Sequence, residues 1–453
     1  MEVDYDEINR ASIDLLRKLI QNRCENFDTI DSGNEIKNAN ALIKFFESFG
    51  IHEYEVFEPA EKRTSLLVKI KGTDRGKSLM YESHLDVVPE TSNWTIDPFD
   101  AEIKDDKIYG RGALDMLYLT ATQASAIAHL ISSGWKPKGD LYYLAVADEE
   151  GGGKYGAEWL INNVPDKIRA DYMIGEAGGF TMDIPNGKKK IAIMTSEKSP
   201  GFTKVNIRGT SGHGSLPYKV DNALHIAAQI IKNIENNPPK PIITDSYKEM
   251  IDGMELSKLT TYFLKSPKIL EKILPNLHKS DPTLARLLHG ISRMTVTPTV
   301  INGGNKLNVI PDTVELGLDI RLLPDQGWTS IESYLNKMIP NAYQENVQYE
   351  PIVLQDNISD SFYDPFVTQI QQTTKAIIPN AELTPMFLSG VTDARFFRKI
   401  GMKCYGYGLL GENFSSKEMG SLFHGDDEYV PLESMYLTSK FFTNFAVDFY
   451  KTN

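Results

Sequence analysis

Two cysteines, Cys24 and Cys404, are all that the 453 residues contain, and neither belongs to a CxxC pair. That excludes a disulfide framework, so stability has to come from packing, and a reducing compartment fits. Long apolar runs are missing as well: none approaches the roughly 20 residues that a membrane-spanning helix needs. The opening MEVDYDEINR lacks the basic-then-apolar layout of a signal peptide, so the expected location is cytoplasmic. Positive charge is in deficit, with 48 Lys and Arg against 61 Asp and Glu and a formal net charge of −13. Such a surface repels phosphate backbones and anionic lipids, which argues against nucleic acid and membrane as partners. What is present is ordinary for a globular chain, and the length exceeds what one core organises, so two or three domains are expected.

Apolar Ile8, Ala11, Leu15, Leu16, Leu19 and Ile20 recur at helical spacing over 5–23, and a second helix near 34–49 stops at Gly50, suited to a left-handed cap. The period then changes. Residues 64–70 and 78–88 read as strands joined by the turn 72–77, a long apolar helix follows near 114–133, and LYYLAVA at 141–147 reads as a buried strand. Another helix and the strand YMIG at 172–175 follow. Strands separated by helices imply an α/β fold with a mostly parallel sheet flanked by helices, whose reactive groups gather past the carboxyl ends of the strands. His84, Glu149, Glu150 and Glu176 each lie at or just beyond such an end.

From about residue 196 the pattern shifts. FTKVNIRG, a helix near 221–236, TVTPTVING, TVELGLDIRLLP, a helix near 328–339 and a strand near 347–354 read as a smaller α+β unit, with extra helices at about 242–293. The expected division is a first domain built from 1–195 and 356–453, interrupted by an inserted unit at 196–355.

Residues two apart on an extended chain face the same way, so in His84-Leu85-Asp86 the acid can hold one ring nitrogen while the other binds a metal. Alone, that pair is better read as a solvated strand end. Asp115, closing Gly110-Arg111-Gly112-Ala113-Leu114-Asp115, stands near a helix start, where the helix dipole by itself accounts for an acid. Asp148-Glu149-Glu150 follows a buried strand with no basic residue adjacent; three carboxylates there repel one another unless a cation sits among them, and a solvated acidic loop is an equal alternative. GEAGG at 175–179 and Phe423-His424-Gly425-Asp426-Asp427-Glu428 complete a set. Two histidines with three or more carboxylates suit two divalent ions sharing a bridging oxygen ligand, and mixed nitrogen and oxygen donors favour zinc over magnesium. A dinucleotide site is the rival, since Gly406 to Gly411 fits GxGxxG, but no helix opens at Gly411 and no strand with a terminal acid lies about twenty residues on. GxSxG, HExxH and the zinc-deaminase cysteine pair are absent.

In order, SHLDVVP from 83, GRGALD, ADEEGGG, GEAGG, SGHGSLP, NVIPD, DIRLLP, SGVTDARFF and FHGDDEYVP run through nearly the whole chain. That series resembles the M20 family of co-catalytic zinc metallopeptidases and amidohydrolases. The resemblance implies an enzyme whose zinc-binding α/β domain is interrupted by a lid and dimerisation domain, and hence a homodimer. His84 and Glu176 would bind one zinc, Glu150 and His424 the other, Asp115 would bridge both and Asp86 would orient His84, with cobalt or manganese as possible substitutes. Glu149 would be the general base for a water acidified by the two ions, passing its proton to the leaving nitrogen. His213 would stabilise the oxyanion, often across a dimer. Arg321 of DIRLLP would clamp a substrate carboxylate beside Asn308 of NVIPD, and Gly390 would let backbone approach the ligand. A structural ion pair with a neighbouring acid is the other reading of Arg321.

The expected reaction is hydrolysis of an amide or peptide bond next to a free carboxylate, in a small peptide or N-acyl amino acid, as in carboxypeptidases, dipeptidases and N-acyl amino acid hydrolases. The alternatives are a deacylase of the acetylornithine or succinyl-diaminopimelate type and, less favoured, a catalytically inactive binding protein on the same fold. Two departures bear on substrate preference. Met116-Leu117-Tyr118 stands where relatives often carry a polar or small residue, and Gly390-Val391 where they commonly carry two glycines.

Overall fold

The computed structural model describes residues 3–184, 187–356 and 358–452. Its main sheet runs in the order Tyr54–Ala60, Arg63–Ile70, Leu141–Val146, Leu79–His84, Tyr172–Gly175, Lys403–Gly406, Lys189–Glu197, Leu383–Leu388, with Thr181–Asp183 added beside Lys189–Glu197. The four strands from Leu141–Val146 to Lys403–Gly406 are mutually parallel, and antiparallel pairs flank them on both sides.

Parity along the central strands sorts their side chains between two cores. Leu79, Tyr81, Leu141, Tyr143 and Ala145 join one with helices Tyr5–Gln21, Leu117–Ser132 and Leu432–Thr452. Met80, Tyr142, Leu144 and Val146 join the other with Ala157, Leu160, Phe396 and Phe397. Helices on both faces are why LMYESH and LYYLAV are buried at every position. Helix Leu117–Ser132, uncharged over most of its length, is buried almost all round because it packs between the sheet and the two terminal helices.

Several elements depart from expectation. Strand 78–88 ends at His84, after which the chain bends and Val87 forms an isolated bridge with Glu25. The turn at 72–77 joins strands that are not neighbours, because Leu141–Val146 lies between them. Arg63–Ile70 pairs instead with Tyr54–Ala60, a mostly exposed strand that the apolar pattern did not mark.

A separate antiparallel sheet has the order Thr295–Gly303, Thr313–Leu322, Ser199–Arg208, Val347–Leu354. Along Thr313–Leu322 burial alternates, and inward Val314, Leu316, Leu318 and Ile320 share a core with helices Ala223–Asn236 and Trp328–Met338. The four helices between Asp245 and Ile291 build a further core that also takes in Leu323 and Phe387, so they touch the main-sheet strand Leu383–Leu388 as well. Among the described residues, no helix is long and apolar enough to cross a membrane.

Candidate metal centre

Neighbouring parallel strands lie about 4.8 Å apart, so groups placed just past their ends converge. His84 is the last residue of its strand, Glu149 and Glu150 follow Leu141–Val146, and Glu176 follows Tyr172–Gly175. Asp115 comes from the turn before helix Leu117–Ser132, and His424 from the loop after helix Ser416–Leu422. His84 Nε2 lies 3.3 Å from Asp115 Oδ1 and 3.9 Å from Glu176 Oε2. His424 Nε2 lies 3.0 Å from Asp115 Oδ2 and 3.4 Å from Glu150 Oε2. The Asp115 carboxylate thus stands between two histidines, one oxygen toward each. Ligand atoms of His84, Glu149 and Glu176, and of His84, Asp115 and Glu150, fall within 4.8 Å of one another.

Charge is crowded here. Burial, then the Asp115 and Asp86 charges, push Glu149 up to about 7 against the opposing pull of His84 and Arg395. Burial and Asp115 push Glu150 up to about 8. Burial would lower His84, but the hydrogen bond to Asp115 and the charges of Glu176 and Asp115 outweigh it and hold the ring well above its usual value. Burial likewise opposes ionisation of Asp115, yet its bonds to His424 and His84 keep it well below the carboxylate range. Four carboxylates at this spacing cannot all ionise without added positive charge. Glu150 Oε1 is buried with no hydrogen-bond partner. An orphaned carboxylate oxygen among imidazole and carboxylate donors fits divalent cations.

Two expectations about the supporting acids are corrected. His84 Nδ1 meets the Asp86 backbone oxygen at 2.9 Å, while the Asp86 carboxylate is 3.8 Å away. The strand ends at His84, so the alternation that would aim both side chains alike no longer applies. The Asp86 carboxylate instead accepts from the backbone N–H groups of Glu149 and Glu150, both at 3.2 Å, and from Asn26 Nδ2 at 2.8 Å. The acidic triple also has a basic partner in space that it lacks in sequence. Arg63 Nη2 lies 2.5 Å from Asp148 and 2.8 Å from Glu35, all three buried, so Asp148 is paired away from the cluster and the two glutamates are the members of the triple that face it.

The residues expected to meet substrate stand elsewhere. His213 pairs with Val309 in a two-residue ladder, is exposed, and its ring bonds Ser215 Oγ at 2.7 Å. The Asn308 carbonyl accepts from Gly214 N at 2.8 Å, so Asn308 and His213 are neighbours. Arg321 forks onto Asp319 at 2.8 and 3.2 Å and lies 4.7 Å over the Phe202 ring, the ion-pair reading of that residue. Among the described residues, no hydrogen bond or ion pair joins His213, Asn308 or Arg321 to the cluster. Gly390 follows strand Leu383–Leu388, and a Cβ there would meet nothing closer than Leu388 at 3.9 Å.

Residues that sequence reasoning passed over hold the centre in place. Asn26 links Asp86 to Asp148. Arg395, buried, donates to Gln355 Oε1 at 2.6 Å and to the Gly152 carbonyl at 3.2 Å, with Glu149 3.8 Å away. Arg111 and Glu428 pair across 317 residues. The available signal was their place in GRGALD and FHGDDEYVP, the two motifs that also carry Asp115 and His424. The GxGxxG run also finds its purpose: a Cβ on Gly179 would collide with the Gly408 carbonyl, and one on Gly406 with the Glu176 carbonyl, so these glycines let two strand ends cross backbone to backbone beside Glu176.

A mixed imidazole and carboxylate cluster past the ends of a mostly parallel sheet is the mark of a metal-dependent hydrolase of the peptidase and amidohydrolase class. The chain belongs to peptidase family M20/M25/M40, whose model matches residues 80–448. It is 26% identical over 382 residues to a probable carboxypeptidase S-like 2 of Dictyostelium discoideum, covering 82% of this chain and 71% of that one. It is 27% identical over 439 residues to the N-fatty-acyl-amino acid synthase/hydrolase PM20D1 of Homo sapiens, covering 91% and 84%. The fold matches the M20 family metallo-carboxypeptidase Sso-CP2 of Sulfolobus solfataricus with a TM-score of 0.70 at 20% identity over 99% and 100% of the two chains. The expected family, enzyme class and α/β architecture therefore hold.

Proposed function

We propose that the chain is a di-zinc hydrolase that cleaves an amide or peptide bond next to a free carboxylate, in a small peptide or an N-acyl amino acid. The observation that carries this reading is the Asp115 carboxylate set between His84 and His424. Glu176 stands on the His84 side and Glu150 on the His424 side, so two similar donor sets share one acid. When bound, divalent ions there would acidify a water and polarise the scissile carbonyl.

The chain's own residues supply the rest. His84 and Glu176 would hold one ion, Glu150 and His424 the second, and Asp115 would serve both. Asp86 fixes the backbone of the Glu149–Glu150 pair through two N–H bonds and takes the His84 ring on its carbonyl. Glu149 lies within ligand reach of His84 and Glu176; left out of both donor sets, it would take a proton from water and return it to the leaving nitrogen. Arg321 and Asn308 receive the substrate carboxylate, and His213 faces the developing oxyanion, once the 196–355 unit or a second copy of it turns toward the cluster. Exposed Leu216, Tyr218, Leu307 and Val309 around His213 support such a covering copy and hence a homodimer. Gly390 leaves open room for the ligand, and a cytoplasmic setting suits the acidic chain.

Hydrolysis of a panel of N-acyl amino acids and dipeptides, each beside its C-terminal amide and with or without chelator, tests the reading. The expected result is activity abolished by chelator, restored by zinc, and at least about tenfold lower on the amides. Chelator-resistant turnover, or equal rates on acids and amides, would overturn it.

A further inference from the structure

The five proposed ligands are not held alike. His84 and Glu176 stand at the ends of main-sheet strands and Glu150 on the turn after one, whereas Asp115 and His424 stand on turns that no main-sheet strand carries. His424 is also the exposed member, its side chain 47% accessible, and its φ is +57°. Something other than the main sheet has to set the distance between those two.

Arg111 and Glu428 are fully buried, and neither faces the cluster as a ligand. Glu428 Oε2 accepts from Arg111 Nη1 at 2.9 Å and Gly112 N at 3.0 Å; Oε1 accepts from Leu114 N at 2.8 Å and Asp115 N at 3.0 Å. All four donors belong to the turn that carries Asp115. The same Arg111 nitrogen donates to the Gly425 carbonyl at 2.9 Å, the residue after His424. The pairing of Tyr109 with Tyr429 delivers both partners, and Gly110 N donates to the Glu428 carbonyl at 2.9 Å. The Trp94 ring, 5.1 Å from the guanidinium, covers it.

We propose that Arg111 and Glu428 are positioning residues that fix the turn of Asp115 against the loop of His424, so that the ion on the Glu150–His424 side depends on them more than the ion on the His84–Glu176 side, which shares only Asp115 with these turns. The proposal builds on the two-ion reading above. It makes no use of Arg111 or Glu428 as ligands or acids. A buried ion pair is retained at the cost of desolvating two charges, and here its four bonds to one turn give that expense a mechanical use.

The test is titration of the metal-free protein with Co²⁺, read by visible d–d absorption and by equilibrium dialysis, for wild type, Glu428→Gln and Arg111→Lys. Wild type is expected to take two ions per chain. Glu428→Gln, which keeps the shape but loses acceptors, is expected to weaken the first ion by less than about threefold and the second by at least about tenfold. Arg111→Lys, whose shorter side chain draws its nitrogen back from Glu428 and Gly425, is expected to shift the second ion the same way by less. Two ions bound with wild-type affinity in both variants, or both ions weakened equally, would overturn the proposal. Circular dichroism of the metal-free variants reports folding, and if Glu428→Gln does not fold then Arg111→Lys decides on the same criterion. Wild type binding fewer than two ions would remove the two-ion reading itself, which is a different outcome from either.

Discussion

The two sheets of this chain bury their strands in opposite ways. Leu79–His84 and Leu141–Val146 are buried along their whole length, whereas Thr313–Leu322 alternates buried with half-exposed residues. In the buried central strands the candidate ligands stand at or past the strand ends, at spacings the backbone ladder imposes, while mid-strand Glu82 has its carboxyl pushed up to about 8 by burial. The smaller sheet has an open face, and there Asp319 and Arg321 meet each other within reach of solvent. On the proposed function, rigid placement of reacting groups and adjustable placement of recognition groups would thus be divided between the two. Changes at the main sheet should strike turnover or folding, and changes on the open face should strike substrate affinity alone.

The sharpest break is at the base. Glu149→Gln is expected to lower kcat by about 10²- to 10⁴-fold with metal content and melting temperature kept, and a loss under about threefold would remove Glu149 from that role. Next, Arg63→Met leaves Glu35 and Asp148 buried without their cation. Urea unfolding should register a loss of about 3–5 kcal/mol, and a loss below about 1 kcal/mol would show that the acids are balanced some other way. On the open face, Arg321→Ala is expected to raise KM by roughly tenfold for carboxylate-bearing substrates and leave kcat nearly unchanged. Equal losses on amidated substrates would return Arg321 to a purely structural pair with Asp319.

A further prediction concerns acidity in the metal-free protein. Burial raises Glu149 from 4.5 to about 7 and Glu150 from 4.5 to about 8, so the folded chain holds these protons more tightly than the unfolded one does. Their contribution is fully present below about pH 4.5 and drains away as pH rises through 7 and 8. The melting temperature of metal-free protein should accordingly fall across that window, and added zinc should flatten the fall. A metal-free profile that rises between pH 5 and 8 would contradict the assignment of buried protons to these acids.

How far the sequence reaches follows from what it encodes locally. Strand ends and the residues just past them are readable from period and composition, which is why His84, Glu149, Glu150 and Glu176 stood out and why the structure finds them together. Strand order is not local: nothing in 64–88 reveals that Leu141–Val146 inserts between its two strands. Nor is a buried ion pair visible when its members are 317 residues apart, as with Arg111 and Glu428, or when the cation lies on another strand, as with Arg63 and Asp148. Asp86 was found for a reason that the bend after His84 removes, and it holds its neighbours by other bonds. The extra helices expected at about 242–293 are present, but nothing local told that they reach Phe387 in the main sheet.

Anomalous diffraction at the zinc edge from zinc-loaded crystals tests the central claim most directly. Two peaks should appear, one bounded by His84 and Glu176 and one by Glu150 and His424, with an oxygen of Asp115 on each. A single peak, or a pair that leaves Asp115 or His424 out of contact, would contradict it.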